Sequence, residues 1–156
     1  MKVLIIGGTG LISRGITKHL LAKGDKVTFF NRGNKKDFVP SGVPVIQGDR
    51  NDEGALSKAA DGKYDVVMDM VCFEEKQAKS AAKSFAGKTG HFIFCSTVCT
   101  YGTYYPGRFG LKITEADELK PISGYGRGKV ACEKVFLEAH SRGDFQATIM
   151  RPSCTY

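Results

Sequence analysis

The sequence predicts an α/β domain: a doubly wound parallel sheet in three α/β/α layers. Three observations carry that prediction. Short apolar runs alternate with amphipathic stretches along the whole chain, the pattern of strand–helix–strand units. The runs are apolar throughout rather than alternating with polar residues, as strands covered on both faces require. A glycine-rich segment stands between the first apolar run and the first amphipathic stretch, where such folds make their tightest turn.

The elements follow in order. Residues 3–6 read as the first strand and 12–23 as the first helix. Ile12, Ile16 and Leu20 recur at i+4 on one helical face, and Gly24 supplies the stop. Residues 27–30 form the second strand. A short third strand, 43–47, follows the breakers Pro40, Ser41 and Gly42. Residues 52–60 read as a short helix closed by Asp61 and Gly62, 65–70 as a strand, and 74–85 as an Ala- and Lys-rich helix. Residues 91–95 are a strand, and a polar, aromatic loop runs from 100 to about 121. Residues 125–140 have helical periodicity, with Val130, Val135, Phe136 and Ala139 apolar, and 147–150 close the series as a strand.

With 156 residues the chain is long enough for one domain, 1–156, with a sizeable core. No apolar run is long enough to span a membrane. The net charge of +7 arises from 23 basic and 16 acidic residues that are scattered, so it reads as solvated surface rather than a nucleic-acid face. The five cysteines, Cys72, Cys95, Cys99, Cys132 and Cys154, are odd in number and include no CxxC pair. That argues against a zinc site or disulfide framework and for free thiols in a reducing cytoplasm; no metal site is expected.

The turn Gly7-Gly8-Thr9-Gly10-Leu11-Ile12-Ser13 is the strongest local motif. Glycine there lets the backbone approach a diphosphate, and the next helix aims its free N–H groups and positive dipole end at the charge. The turn predicts nucleotide binding through Gly7, Thr9, Gly10, Leu11 and Ile12. Ser13 replaces the third glycine of such turns, and a slightly looser helix–sheet contact is expected. The second strand ends in Asn31-Arg32-Gly33. An acidic residue there would hold a ribose 2′-OH, whereas a guanidinium suits a 2′-phosphate. Asn31 and Arg32 therefore favour NADP over NAD, with Arg14 a weaker candidate for the same phosphate.

Tyr125 and Lys129 form a YxxxK pair at the start of a predicted helix, and i, i+4 spacing places them on one face. An adjacent ammonium is expected to lower the phenol's pKa and make Tyr125 a usable acid/base. The hydroxyls of Ser96 and Thr97 follow a strand's C-terminal end, the ligand-binding edge of such a sheet.

These motifs together resemble the extended short-chain dehydrogenase/reductase superfamily, the epimerase/dehydratase kind. The resemblance rests on the GGTG turn, Gly48-Asp49-Arg50, the FxFxSTxxxYG strand end, SxYxxxK around Tyr125, and Arg151-Pro152, in that order along the chain. It implies a Rossmann-like, NAD(P)-binding fold. It also implies Thr97 holding the substrate oxygen, Tyr125 as acid/base and Lys129 as its partner on the ribose hydroxyls. Asp49 would contact adenine with Arg50 beside it, and Met70, Val71 and Cys72 would line the cofactor. Many members carry an alanine-rich segment at that last position, which this chain lacks. Ser96 and Cys99 read as structural neighbours, with Ser96 an alternative for Thr97's role.

The implied activity is an NAD(P)-dependent epimerase, dehydratase or reductase acting on a nucleotide sugar or similar hydroxylated substrate, with a homodimer possible by analogy. Two other readings use the same fold. One is an RNA-binding protein of the atypical branch that includes chloroplast stem-loop binders. The other is a regulator that senses NADP without turnover. Superfamily members of this kind run to about twice this length, so the sequence is expected to be a piece of a longer protein, with little turnover on its own.

Overall fold

The computed structural model describes residues 1–102 and 113–153. Its six strands form one all-parallel sheet in the order β3-β2-β1-β4-β5-β6. They are β1 (Lys2–Ile6), β2 (Lys26–Asn31), β3 (Val45–Gln47), β4 (Tyr64–Asp69), β5 (Thr89–Cys95) and β6 (Gln146–Met150). The helices are α1 (Leu11–Ala22), α2 (Glu53–Ala60), α3 (Glu75–Phe85) and α4 (Gly124–Ser141). Every helix and strand expected from the sequence is present, with ends moved by at most two residues. Two 3-10 turns, Lys36–Phe38 and Val98–Tyr101, lie where the sequence suggested only loop. Most of the long loop expected after Thr100, and Cys154, fall outside the described residues.

Alternation along β1 divides the core in two. Leu4 and Ile6 face α2, α3 and α4; Val3 and Ile5 face α1. On the first face Phe92 stacks on Phe136 at 4.7 Å and on Phe145 at 5.1 Å, and Phe85 and Phe94 complete the aromatic cluster. Each such ring removed from water contributes about 1.5–3 kcal/mol. On the second face Ile16 and Leu20 of α1 pack over Val27, Phe29 and Met68. Cys72 and Cys132 are buried in the first core with their Sγ atoms 3.6 Å apart, and the four cysteines among the described residues are free thiols.

The sheet places the site. The chain runs from β1 outward to β2 and β3, then crosses back to β4 on the other side of β1. The connections leaving β1 and β4 diverge, so a crevice opens beyond their C-terminal ends. Among the described residues, no helix is long and apolar enough to cross a membrane.

Candidate cofactor cleft and active site

The turn after β1 is built for close approach. Gly7 has φ +83°, and a Cβ there would lie 2.5 Å from Cγ1 of Val71. Ser13 is buried, and its hydroxyl donates to the Gly7 carbonyl at 2.8 Å. The expectation of a looser contact is therefore corrected: the serine ties the turn to the helix that follows it. Gly10 caps α1 with no side-chain hydrogen bond, and the first turn carries no acidic residue. The N–H groups of Leu11, Ile12 and Ser13 remain available to an anion, and the helix dipole favours one there.

A cleft of about 420 Å³ opens at this turn. Of the expected residues, Gly7, Thr9, Gly10, Asn31, Arg32, Asp49, Arg50 and Val71 line it. Leu11 is exposed and Ile12 half-buried at the start of α1, where their contribution is backbone. Two expectations are corrected. Cys72 turns its side chain into the core against Cys132, and Met70 packs beneath α1 with the second core cluster, so of that trio only Val71 faces the cleft. Arg14 lies over the Phe38 ring at 4.7 Å, in a separate groove.

The structure adds lining residues that sequence reasoning did not name, chiefly Lys35, Asn51, Phe73 and Gln77. Gln77 had a legible signal, because Glu74 and Gln77 form a capping box on α3. Its Oε1 accepts from the N–H of Phe73 at 2.8 Å and its Nε2 donates to Asn51 at 2.7 Å, joining two walls of the cleft.

The donor set fits a dinucleotide. The glycine turn offers backbone N–H groups, Asn31 has a buried Nδ2 without a hydrogen-bond partner, and Arg32 and Lys35 bring two cations. Asp49 caps its own turn, accepting from the N–H of Asn51 at 2.9 Å. Arg50 is committed elsewhere than its neighbour: its guanidinium pairs with the fully buried Asp69 at the end of β4. Burial opposes that charge, but Asp69, with the Cys72 and Cys132 thiols, holds Arg50 above its ordinary pKa. Asp69 in turn accepts from the N–H of Val71 at 3.1 Å, so the pair shapes the cleft wall.

Thr97, Tyr125 and Lys129 converge. Thr97 caps the turn after β5 and accepts from the N–H of Cys99 at 3.2 Å. Tyr125 opens α4 behind the N-cap Ser123. Lys129, one turn on, is buried; its Nζ donates to the carbonyls of Cys72 and Cys95, each at 2.8 Å. The ammonium also lies 5.7 Å from the centre of the Tyr125 ring and 4.6 Å from that of Phe73. One electrostatic expectation is corrected. Partial burial pushes the Tyr125 phenol above its ordinary pKa, the Thr97 hydroxyl pulls it back, and the neighbouring Cys99 and Cys95 thiols raise it. The net shift is upward despite the nearby Lys129, whose own pKa burial pushes down.

A second buried network escaped the sequence reading. Ser96 donates to Glu133, Glu133 is bridged by Arg151, and Arg151 donates to the Tyr101 hydroxyl. Ser96 is buried and spends its hydroxyl proton on Glu133. Glu133 follows Lys129 at i+4, so its place on the same face of α4 was readable; its burial and its partners were not.

Comparison with known proteins agrees with this architecture. The chain matches the NAD dependent epimerase/dehydratase family over residues 3–156. It is 29% identical to 2'-dehydrokanamycin reductase of Streptomyces kanamyceticus over 100% of its own length and 43% of the relative's. It is 29% identical to a UDP-glucose 4-epimerase of Lactobacillus helveticus, covering 97% of this chain and 51% of that protein. It is also 29% identical to the chloroplast stem-loop binding protein of 41 kDa b of Arabidopsis thaliana, covering 86% and 38%. The chain thus spans about half the length, or less, of these relatives. The crystal structure of Thermus thermophilus UDP-glucose 4-epimerase in complex with NAD superposes with a TM-score of 0.83 at 22% identity, over 97% of this chain and 54% of that one. With the strand order, the glycine turn and the family match in agreement, the chain belongs to the NAD dependent epimerase/dehydratase family, of which it carries the Rossmann-like half.

Proposed function

We propose that this chain is the cofactor-binding part of an NAD(P)-dependent epimerase, dehydratase or reductase acting on a nucleotide sugar or a similar hydroxylated substrate. The observation that carries the reading is the position of Phe73. It lines the cleft, and its ring stands against both Tyr125, at 6.3 Å between centroids, and Lys129. The nucleotide cleft and the Thr97–Tyr125–Lys129 group therefore meet at one edge of the sheet.

In this reading Gly7, Thr9, Gly10 and the first turn of α1 hold the diphosphate. Asp49 meets the adenine end. Asn31 and Arg32, joined by Lys35, hold the outer ribose, and their cations select a 2′-phosphate, so NADP is preferred over NAD. The chemistry a bound nicotinamide supplies is hydride transfer at a carbon bearing oxygen. Thr97 holds that oxygen and Tyr125 moves its proton. Lys129 has three N–H donors and gives two to backbone carbonyls, leaving one for a ribose hydroxyl. The epimerase and reductase names of the relatives support a hydroxylated, sugar-like substrate.

Titration of NADP and NAD against wild type and Arg32→Ala tests the cofactor assignment. NADP is expected to bind more tightly, and the substitution to weaken NADP about tenfold while sparing NAD, the effect of losing one charge-assisted contact at an exposed site. Equal affinities in the wild type would remove the NADP preference, and no binding of either would remove the enzyme reading. RNA binding is the second reading, favoured by the name of the Arabidopsis relative and permitted by the net charge of +7. Salt-dependent RNA affinity that survives Tyr125→Phe, without hydride exchange, would replace the first reading with it.

A further inference from the structure

We propose that Glu133 is a positioning residue that sets Thr97 against Tyr125, by closing a buried ring of side chains around the segment that carries Thr97. The roles of Thr97 and Tyr125 rest on the function proposed above. The ring does not depend on it.

The segment concerned runs from Ser96, past the end of β5, through the 3-10 turn to Tyr101. Each end is held by a side chain. At the start the Ser96 hydroxyl donates to Oε1 of Glu133. At the end the Tyr101 hydroxyl accepts from Nη1 of Arg151. Arg151 then closes the ring: its Nε and Nη2 donate to Oε1 and Oε2 of Glu133 at 3.0 and 2.7 Å. Thr97 lies inside this loop, one residue from the first hold.

Glu133 differs from the other members in belonging to α4, two turns beyond Tyr125. The ring therefore fastens the Thr97 segment to the helix that presents the phenol. Lys129 adds a hold one residue earlier, on the Cys95 carbonyl. Close approach is permitted at Gly126, where a Cβ would lie 2.6 Å from the Cys99 carbonyl oxygen. The backbone bonds of the segment run the other way, from Ser96 N–H to Met150 at 2.7 Å and from Val98 N–H to Pro152 at 3.1 Å. They continue the sheet toward β6 and leave the spacing from α4 to the side chains.

Glu133 is only 1% exposed. Burying a carboxylate costs several kcal/mol before its partners offset it, and a well-packed apolar side chain commonly does as well for stability. A charge retained here is better explained by the geometry it imposes. The groups facing Tyr125 are the Thr97 hydroxyl, the Cys95 and Cys99 thiols, the Lys129 ammonium and the Phe73 ring. Of the three that shift the phenol, only the Thr97 hydroxyl lowers its pKa. Slack in the ring would let the Thr97 hydroxyl shift relative to the phenol.

The test is a tyrosinate absorbance titration of the full chain, with Tyr125→Phe subtracted to isolate Tyr125, on wild type, Glu133→Gln and Ser96→Ala. Both substitutions are expected to raise the Tyr125 midpoint by about half a pH unit or more. NADP affinity should stay at the wild-type level. A fall in melting temperature with an unmoved midpoint assigns Glu133 to stability alone and overturns the proposal. So does a parallel loss of NADP affinity, which would mean general collapse of the cleft. If Glu133→Gln does not fold, Ser96→Ala decides, because it cuts the ring and leaves the buried ion pair intact. The absorbance readout needs no turnover. Absence of NADP binding or hydride exchange in the wild type would count against the enzyme reading while leaving this result standing.

Discussion

Tyr125 carries the proton in the proposed reaction, and its surroundings set the pH at which it can. Its pKa lies above the ordinary value of about 10, chiefly because burial disfavours the phenolate. The sign follows directly. A raised folded-state pKa means the neutral phenol is favoured, so its contribution to stability is present below the unfolded value and lost as pH rises through the folded one. In catalysis the neutral phenol is the acid, so carbonyl reduction is expected to hold through neutral pH and alcohol oxidation to climb on the alkaline side. Tyr125→Phe should lower turnover in the complete protein by about 10²–10⁴-fold and flatten that alkaline limb, while leaving cofactor binding intact. Rates measured from pH 6 to 10.5 check it; an alkaline limb that persists without the phenol would reassign the proton. Thr97→Ala removes the hydroxyl that lowers this pKa and should move the limb further up. The identity of Tyr125 was legible in the sequence from its spacing to Lys129. Its pKa was not, because that depends on what stands around the phenol and on where the Lys129 ammonium is spent.

Helices and strands were legible because local chemistry announces them. The series of apolar runs located all six strands, and Gly24, at φ +79°, ended α1 as read. Asp52 is the clearest case among the helices. Its carboxylate accepts from the N–H groups of Gly54 at 2.9 Å and Ala55 at 3.1 Å, capping α2. Asp52→Ala should cost about 1 kcal/mol in denaturant unfolding, and a cost near zero would show that packing alone sets that end of the helix. Helix α4 marks the limit of this kind of reading. Tyr125, Lys129 and Glu133 recur at i+4 and so share one face. The period tells only that they share a face; Tyr125 is exposed at its start, whereas Lys129 and Glu133 are buried. It cannot tell that Lys129 meets two carbonyls or that Glu133 meets Ser96 and Arg151, because those partners come from β5, β6 and the loop after β4.

The whole molecule assembles the cleft from the ends of four strands, so binding there should be felt throughout. A ligand at 100 times its Kd stabilises the folded state by about 2.7 kcal/mol. For a chain of this size that corresponds to a rise in Tm of roughly 5–10 °C. Melting with and without saturating NADP checks it, and an unchanged Tm would mean that the cleft does not close on the cofactor.

What the sequence determined by itself was local or periodic: the strand and helix series, the glycine turn, the cation after β2, and the Tyr125–Lys129 spacing. These need only the preferences of a short stretch of backbone and the alternation of polar with apolar residues. What tertiary structure alone decided was each contact between distant residues: Arg50 turning to Asp69, Cys72 turning inward, Phe73 joining cleft to phenol, and the ring through Glu133. Such contacts are set by the strand order and by the demand that every buried charge find a partner, and that demand is met across the fold rather than along the chain.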